Sequence, residues 1–316
     1  MQHAKEYYKK EGKSKMKLKD LLESAAGQPL ISVAVAAAED EEVLEAVIDA
    51  VNHKLATFLL YGNQEKINKI LTAKNEKIMA SVGVEVVHTE SRDEAAKAAV
   101  SAVHSGEANV LMKGNIPTST LLKAVLNKEF GLRTGNVLSH VAVFEVPGFD
   151  RFVMVTDAAM NIAPGLQEKV QILNNAVGVA NSIGIDVPKV APIAAVEVVN
   201  PAMQATLDAA ALTQMNHRGQ IQNCIVDGPL ALDNAISIHA AEHKRITSAV
   251  AGQADILLVP TIEVGNALYK SLVYFAKAEV GAVIAGARAP IVLTSRADSA
   301  KSKLYSLALA VCTARK

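Results

Sequence analysis

The chain has 316 residues, and Lys plus Arg and Asp plus Glu both number 32, so the formal net charge is zero. A general nucleic-acid or membrane-surface role finds no support in that balance. Apolar residues make up 50% and aromatics only 4%, a composition suited to tight helix-on-sheet layers, and the length suits two domains better than one core.

The first twenty residues carry Lys5, Lys9, Lys10, Lys13, Lys15, Lys17 and Lys19 with Tyr7 and Tyr8. They read as a solvated leader into a helix at 18–24, or as a basic arm. Strand-like and helix-like runs then alternate. Strands are predicted at 30–37, 55–60, 84–87 and 110–112, with helices at 40–52, 65–72, 93–104 and from 117 to about 127. Acidic residues in the first turn favour the helix at 40–52. Such alternation argues for a parallel sheet covered by helices.

The rhythm breaks at 131–144. Two strands, 138–146 and 152–156, flank Pro147-Gly148-Phe149-Asp150, a turn by composition, and read as an antiparallel hairpin. Helices follow at 167–182, 201–215 (Pro at its start), 240–251 and 265–276, and strands at 190–196, 221–226, 256–259 and 280–285. Last come a short apolar run, 291–293, and a helix from 298 or 299 to 313, whose Leu304, Leu307, Ala308 and Val311 keep a three-to-four spacing. The longest apolar runs fall well short of the roughly 18 residues a membrane helix needs, and no signal-peptide core is visible, so a soluble, cytoplasmic protein is expected. Cys224 and Cys312 lie in apolar runs and read as buried hydrophobes.

Two strand–helix junctions carry residues suited to an anion. Thr294-Ser295-Arg296, with Asp298 beyond, follows the strand at 291–293. Lys113-Gly114 precedes a helix start reading Pro117-Thr118-Ser119-Thr120. In open α/β sheets this edge binds ligands, and free N–H groups at helix starts favour phosphates. Arg296 can fork two hydrogen bonds onto one. Each junction also reads as an ordinary capped helix. Arg133 and Thr134, with Ser139-His140, sit at the break in rhythm, as an interdomain site or an interdomain salt bridge. Asp157 with Asn161, and Asp227 before Gly228-Pro229, read as bases or orienters, or as turn formers.

Other chemistries fit poorly. His239-Ala-Ala-Glu242-His243 has the wrong order for a zinc helix and no third ligand, so no metal is expected. No G-x-G-x-x-G occurs, and Gly281 to Gly286 has P-loop glycine spacing but is followed by Ala287-Arg288.

With these junctions laid out, the chain resembles the phosphate acetyltransferase/phosphate butyryltransferase family, and the butyryl branch more closely. The resemblance runs from about residue 30 to the C-terminus. It is densest at Lys113-Gly114, 156–164, Val226-Asp227-Gly228-Pro229-Leu230, 246–266, Leu268-Tyr269-Lys270 and 286–299. It implies two α/β domains with a cleft between them, as in isocitrate and isopropylmalate dehydrogenases. The domains expected are 1–138 plus 286–316, and 139–285, with the C-terminal segment returning to the first.

The activity implied is reversible acyl transfer: acyl-CoA plus phosphate gives acyl phosphate plus CoA, by direct transfer in a ternary complex. Arg296 and Arg133 would aim a desolvated phosphate at the thioester. Backbone N–H groups and the Ser295 hydroxyl would hold the oxyanion. The catalytic candidates are Ser295, Arg296 and Asp298. The substrate-binding candidates are Lys113, Gly114, Thr118, Arg133, Ser139, Asp157, Asn161, Asp227, Asn266 and Thr294. Coenzyme A and phosphate are substrates, no further cofactor is implied, and a homo-oligomer built through the second domain is expected. The acetyl branch carries a carboxylate seven residues after the motif serine, assigned to thiol deprotonation. Here that position is Ser302, with Asp298 as the stand-in. The departure admits a non-catalytic binder of CoA metabolites as the alternative. A metal- and NAD-dependent decarboxylating dehydrogenase would need clustered carboxylates that the sequence lacks.

Overall fold

The structure, a computed structural model, describes residues 17–27, 29–75, 83–294 and 298–314. The lysine-rich leader as far as residue 16, and the expected catalytic Ser295 and Arg296, lie outside them.

The first half runs α1 (Leu18–Ala26), β1 (Ile31–Ala36), α2 (Glu41–Asn52), β2 (Ala56–Gly62), α3 (Gln64–Asn75), β3 (Val84–His88), α4 (Arg92–Ser105), β4 (Val110–Lys113) and α5 (Thr118–Val125). Local chemistry sets these boundaries. Asp40 caps α2 by accepting from the Val43 N–H at 3.0 Å, with Glu41 and Glu42 in the first turn. Ser91 caps α4 through the Glu94 N–H at 3.2 Å, and α4 ends at Gly106 in the left-handed region, φ 84°.

The second half runs β5 (Ser139–Glu145), β6 (Val153–Thr156), α6 (Leu166–Ser182), β7 (Lys189–Pro192), α7 (Gln204–His217), β8 (Ile225–Val226), α8 (Leu232–Ile236), α9 (Ile238–His243), β9 (Ile256–Leu258), α10 (Ile262–Tyr274), β10 (Glu279–Ala285), β11 (Ile291–Val292) and α11 (Ala300–Ala314). The expected helix over 240–251 is present only as far as His243, where α9 ends. Lys244 caps it, Arg245 takes a left-handed φ of 56°, and the Ser248 hydroxyl accepts from the Val250 and Ala251 N–H groups. Those local bonds compete with helix propagation. The strand expected at 221–226 is trimmed to its last two residues, with Asn223 at φ 60° before them.

Among the described residues all strands form one 11-stranded sheet, in the order β3-β2-β1-β4-β11-β10-β5-β6-β9-β7-β8. The expected parallel sheet is therefore mixed. Two parallel blocks, β3-β2-β1-β4-β11 and β6-β9-β7-β8, are joined by antiparallel pairing of β11 with β10, β10 with β5, and β5 with β6. The hairpin expected at 138–156 is the β5–β6 pair. The positions expected to divide the chain, 139 and 285/286, fall at the ends of β5 and β10, the central pair of this sheet.

Alternation along the strands decides what each face carries. Val33, Val35, Met112, Val141, Val143, Val283 and Val292 face one side. There α1, α2, α6 and α11 form a continuous core across both blocks. On the opposite face the helical cover is split. Ala34, Ala36, Leu111, Ile284 and Ile291 pack under α4 and α5, whereas Ala142, Phe144, Val155 and Leu257 pack with residues of α8, α9 and α10. Helix α11 is buried from Leu304 to Cys312, not on one stripe alone. Gly281 allows β10 to lie close to it: a methyl there would meet the Tyr305 carbonyl carbon and oxygen at 2.9 Å. That segment is thus strand, and its glycine serves helix–sheet packing.

Candidate active site

The gap in the helical cover is a cleft of about 440 Å³. Its floor follows from strand parity. Lys113 lies two residues beyond Leu111, His140 two before Ala142, and Leu293 two beyond Ile291, so all three share the split face. One row of sheet pairing, Leu111–Ile291–Ile284–His140, ties the two sides together.

One wall comes from β4, the loop after it, and α5. Lys113 is only 6% exposed, and its Nζ donates to the Gly114 carbonyl at 3.2 Å. Ile116, Pro117 and Thr118 line the cleft above it. Helix α5 begins there with no side chain capping its N-terminus, which leaves backbone N–H dipole at the wall. Gly114 itself is pressed against the chain after β1. Its N–H donates to the Ala36 carbonyl at 2.9 Å, and the Asn115 N–H donates to that of Ala37 at 2.6 Å. A methyl on Gly114 would sit 2.8 Å from Ala36 O and closer still to Ala37 O. The glycine sets the path of the loop.

The other wall comes from α10 and the loop after β6. Asn266, Tyr269 and Lys270 stand at i, i+3 and i+4 on α10, beside Ala158 and Ala159. Asn266 Nδ2 donates to the Ala158 carbonyl at 3.5 Å. Gly265 brings α10 onto that loop, where a methyl would meet Asp157 O at 2.5 Å. Lys270 Nζ lies 5.6 Å from the Tyr269 ring centroid and 5.9 Å from that of Tyr274. Thr294 and Asp298 complete the lining from the segment between β11 and α11. Asp298 is held by Lys303, whose Nζ donates to its carbonyl and, at 2.8 Å, to Glu42 Oε2.

His140 is 7% exposed, and its Nδ1 is buried without a hydrogen-bond partner. Its ring packs edge-on to Tyr269, centroids 5.8 Å apart, and Tyr269 packs in the same manner on Phe144 at 5.2 Å. Burial pushes the imidazole below its ordinary value, while the negative charges of Asp157 and Asp298 act in the opposite sense. Burial also pushes the Tyr269 phenol well up, aided by Asp298, so it stays neutral.

Of the expected site residues, Lys113, Thr118, Asn266, Thr294 and Asp298 come together on the cleft. Others do not line it. Asp157 is buried with both carboxylate oxygens engaged: Oδ1 accepts from the Ala159 and Met160 N–H groups at 2.9 and 3.0 Å, and Oδ2 from Asn161 N and Nδ2 at 3.1 and 2.5 Å. Asp157 and Asn161 thus shape the loop that carries Ala158 and Ala159. Ser139 Oγ accepts from Asn175 Nδ2 at 2.9 Å and is fully buried. Arg133 is exposed outside the lining. Asp227 follows β8, three strands beyond β6, about 14 Å away at ordinary strand spacing, because the sheet order puts β8 at an edge. Ser302 is also outside the lining, its Oγ 3.2 Å from that of Ser299. Among the described residues no three His, Cys, Asp or Glu side chains gather to hold a metal.

His140, Tyr269 and Lys270 line the cleft but were not among the expected catalytic or substrate-binding residues, although the sequence reading noted Ser139-His140 at the break in rhythm and Tyr269-Lys270 in a matched block. His140 had a signal: it is a polar side chain on the apolar parity of β5. Tyr269 and Lys270 had one too, in their spacing from Asn266.

The chain is 61% identical over 297 residues to a probable phosphate butyryltransferase of Bacillus subtilis (strain 168), covering 94% of this chain and 98% of that protein. It is 50% identical over 295 residues to a phosphate butyryltransferase of Clostridium beijerinckii, covering 93% and 97% respectively. The crystal structure of a branched-chain phosphotransacylase from Enterococcus faecalis V583 superposes with a TM-score of 0.81 at 39% identity, over 90% of this chain and 99% of that one. Residues 77–311 match the phosphate acetyl/butaryl transferase family, and the chain belongs to it.

Proposed function

We propose that this protein transfers a short acyl group, butyryl by preference, between coenzyme A and inorganic phosphate. The observation that carries the reading is the two-sided cleft. A buried ammonium, Lys113, and the uncapped start of α5 lie on one side, and an apolar wall with a second lysine, Lys270, on the other. Lys113, Thr118 and the α5 N–H groups suit the phosphate. Ile116, Ala158, Ala159 and Leu293 suit an acyl chain, and Lys270 a phosphate of coenzyme A.

The reaction needs no protein nucleophile. A phosphate oxygen attacks the thioester carbonyl, the oxyanion collapses, and the C–S bond breaks with its electron pair going to sulfur. Direct transfer in a ternary complex asks the cleft to hold both substrates and exclude water, which gains rate by proximity. Ser295 and Arg296 keep the roles expected of them, oxyanion and phosphate binding, and Asp298 and His140 are groups on the lining suited to a proton. Two α/β units divided near 139 and 286, as in isocitrate dehydrogenase-like folds, fit the two parallel blocks. A cytoplasmic setting fits the absence, among the described residues, of any helix long and apolar enough to cross a membrane. Exposed Tyr274 and Phe275, the latter 88% exposed, offer apolar surface for a homo-oligomer.

The test is thiol release from butyryl-CoA and acetyl-CoA, each with and without phosphate. Two extra buried methylenes are worth about 1.6 kcal/mol, so butyryl-CoA should exceed acetyl-CoA by roughly fifteen-fold in kcat/KM. Equal or reversed preference would make the protein an acetyl-transferring relative. Tight coenzyme A binding with no release in either case would leave the non-catalytic reading.

A further inference from the structure

We propose that His140 carries one proton between the attacking phosphate and the sulfur of coenzyme A. The inference rests on the acyl-transfer reading above.

His140 sits on the floor of the cleft, on the strand that joins its two sides, with the phosphate-suited wall of Lys113 and Thr118 on one flank and the wall of Asn266, Tyr269 and Lys270 on the other. The ring lines the cleft, and its Nδ1, itself buried, is left unsatisfied by the fold. The ring is held in place: the edge-on contact with Tyr269, itself packed on Phe144, restricts its orientation. Asp157 and Ser139, by contrast, have their polar atoms engaged within the fold.

The charges around it favour a reversible proton carrier. Among the described residues, Lys113 from β4, Lys270 and the neutral Tyr269 from α10, Asp157 after β6 and Asp298 before α11 are the titratable groups around it. Burial keeps the imidazole neutral and able to accept at neutral pH, and the two carboxylates favour the imidazolium that forms. An imidazole, ordinarily near 6.5, lies closer to a thiol near 8.5 than an ordinary carboxylate near 4 does, which suits transfer in both directions.

The step balances without any further reactant. Hydrogen phosphate attacks the thioester carbon, and its proton passes to His140. The C–S bond then breaks, and the departing thiolate takes that proton, leaving acyl phosphate and free thiol. In reverse, the thiol proton goes to His140, sulfur attacks the acyl carbon, the C–O bond to phosphate breaks, and the leaving phosphate recovers the proton.

The experiment compares wild type with His140→Gln in phosphate-dependent thiol release from butyryl-CoA, from roughly pH 3 to 9. Wild type should lose kcat/KM towards acid, with a midpoint below the ordinary imidazole value, because the protonated ring cannot accept from phosphate. The variant should lose kcat on the order of 100-fold, keep both KM values within about threefold, and lose the acid limb. A variant within about threefold of wild type in kcat, or one slowed but with the acid limb unmoved, overturns the role. If His140→Gln loses the wild-type melting transition, His140→Asn and the wild-type limb decide it: a limb at an ordinary carboxylate value overturns the role. A wild type that releases no thiol with phosphate refutes the acyl-transfer reading and this role with it. An active wild type beside an equally active variant refutes the role alone.

Discussion

Gly114→Ala is the perturbation that most directly joins packing to catalysis. The added methyl would lie 2.8 Å from Ala36 O and from the Ala37 carbonyl carbon, and closer to Ala37 O, whereas ordinary contact begins near 3.4 Å. All of these are backbone atoms, held by the bonds from Gly114 N to Ala36 O and from Asn115 N to Ala37 O. No rotamer can relieve the clash, so the β4–α5 loop must move by on the order of 1 Å, carrying Lys113 and the start of α5. Overpacking of this kind costs about 1–3 kcal/mol, or roughly 1.5–4.5 °C in Tm for a chain of this size. A displacement of about 1 Å at a binding wall can cost on the order of 100-fold in rate. The assay is phosphate-dependent thiol release beside thermal unfolding. Should Gly114→Ala keep kcat/KM within about threefold and an unchanged Tm, the loop does not set the geometry of the cleft and the argument fails.

Gly178→Ala is the counterpart: it lies inside α6, where an added methyl meets nothing within 4 Å. It should raise stability by about 0.5–1 kcal/mol with activity unchanged, read by chemical denaturation. Lys303→Met keeps the buried stem but removes the ammonium that holds the Asp298 carbonyl and Glu42. It should cost about 1–3 kcal/mol and raise KM for substrate; unchanged values of both would mean the anchor is idle. Ala159→Leu, on the exposed rim of the loop after β6, should depress turnover of butyryl-CoA more than that of acetyl-CoA, by roughly tenfold in the ratio. An unchanged ratio would place the acyl chain elsewhere.

Much of the fold was legible because its signals are local. Alternating strand and helix runs, the acidic first turn of the helix at 40–52, and Pro147-Gly148 between two apolar runs all act within a few residues of one another. The matched blocks around Lys113, Asn266 and Thr294 pointed to residues that do converge. Other features depend on partners distant in sequence. The helix expected over 240–251 yields to the Ser248 turn and the left-handed Arg245, and α11 is buried beyond its apolar stripe because it lies between β10 and the pair α1 and α2.

Sequence alone thus determined the alphabet of elements, the family to which they belong and the residue types suited to phosphate and thioester. Tertiary structure decided which of those residues meet. Placing the antiparallel β10–β5 pair between two parallel blocks splits the helices on one face, and strand parity then turns Lys113, His140 and Leu293 into the gap. The same sheet order leaves Asp227 at an edge, and the loop after β6 takes up both oxygens of Asp157. Period and capping are properties of neighbouring residues, whereas strand order and the side of the sheet that stays open are set by pairings across more than a hundred residues.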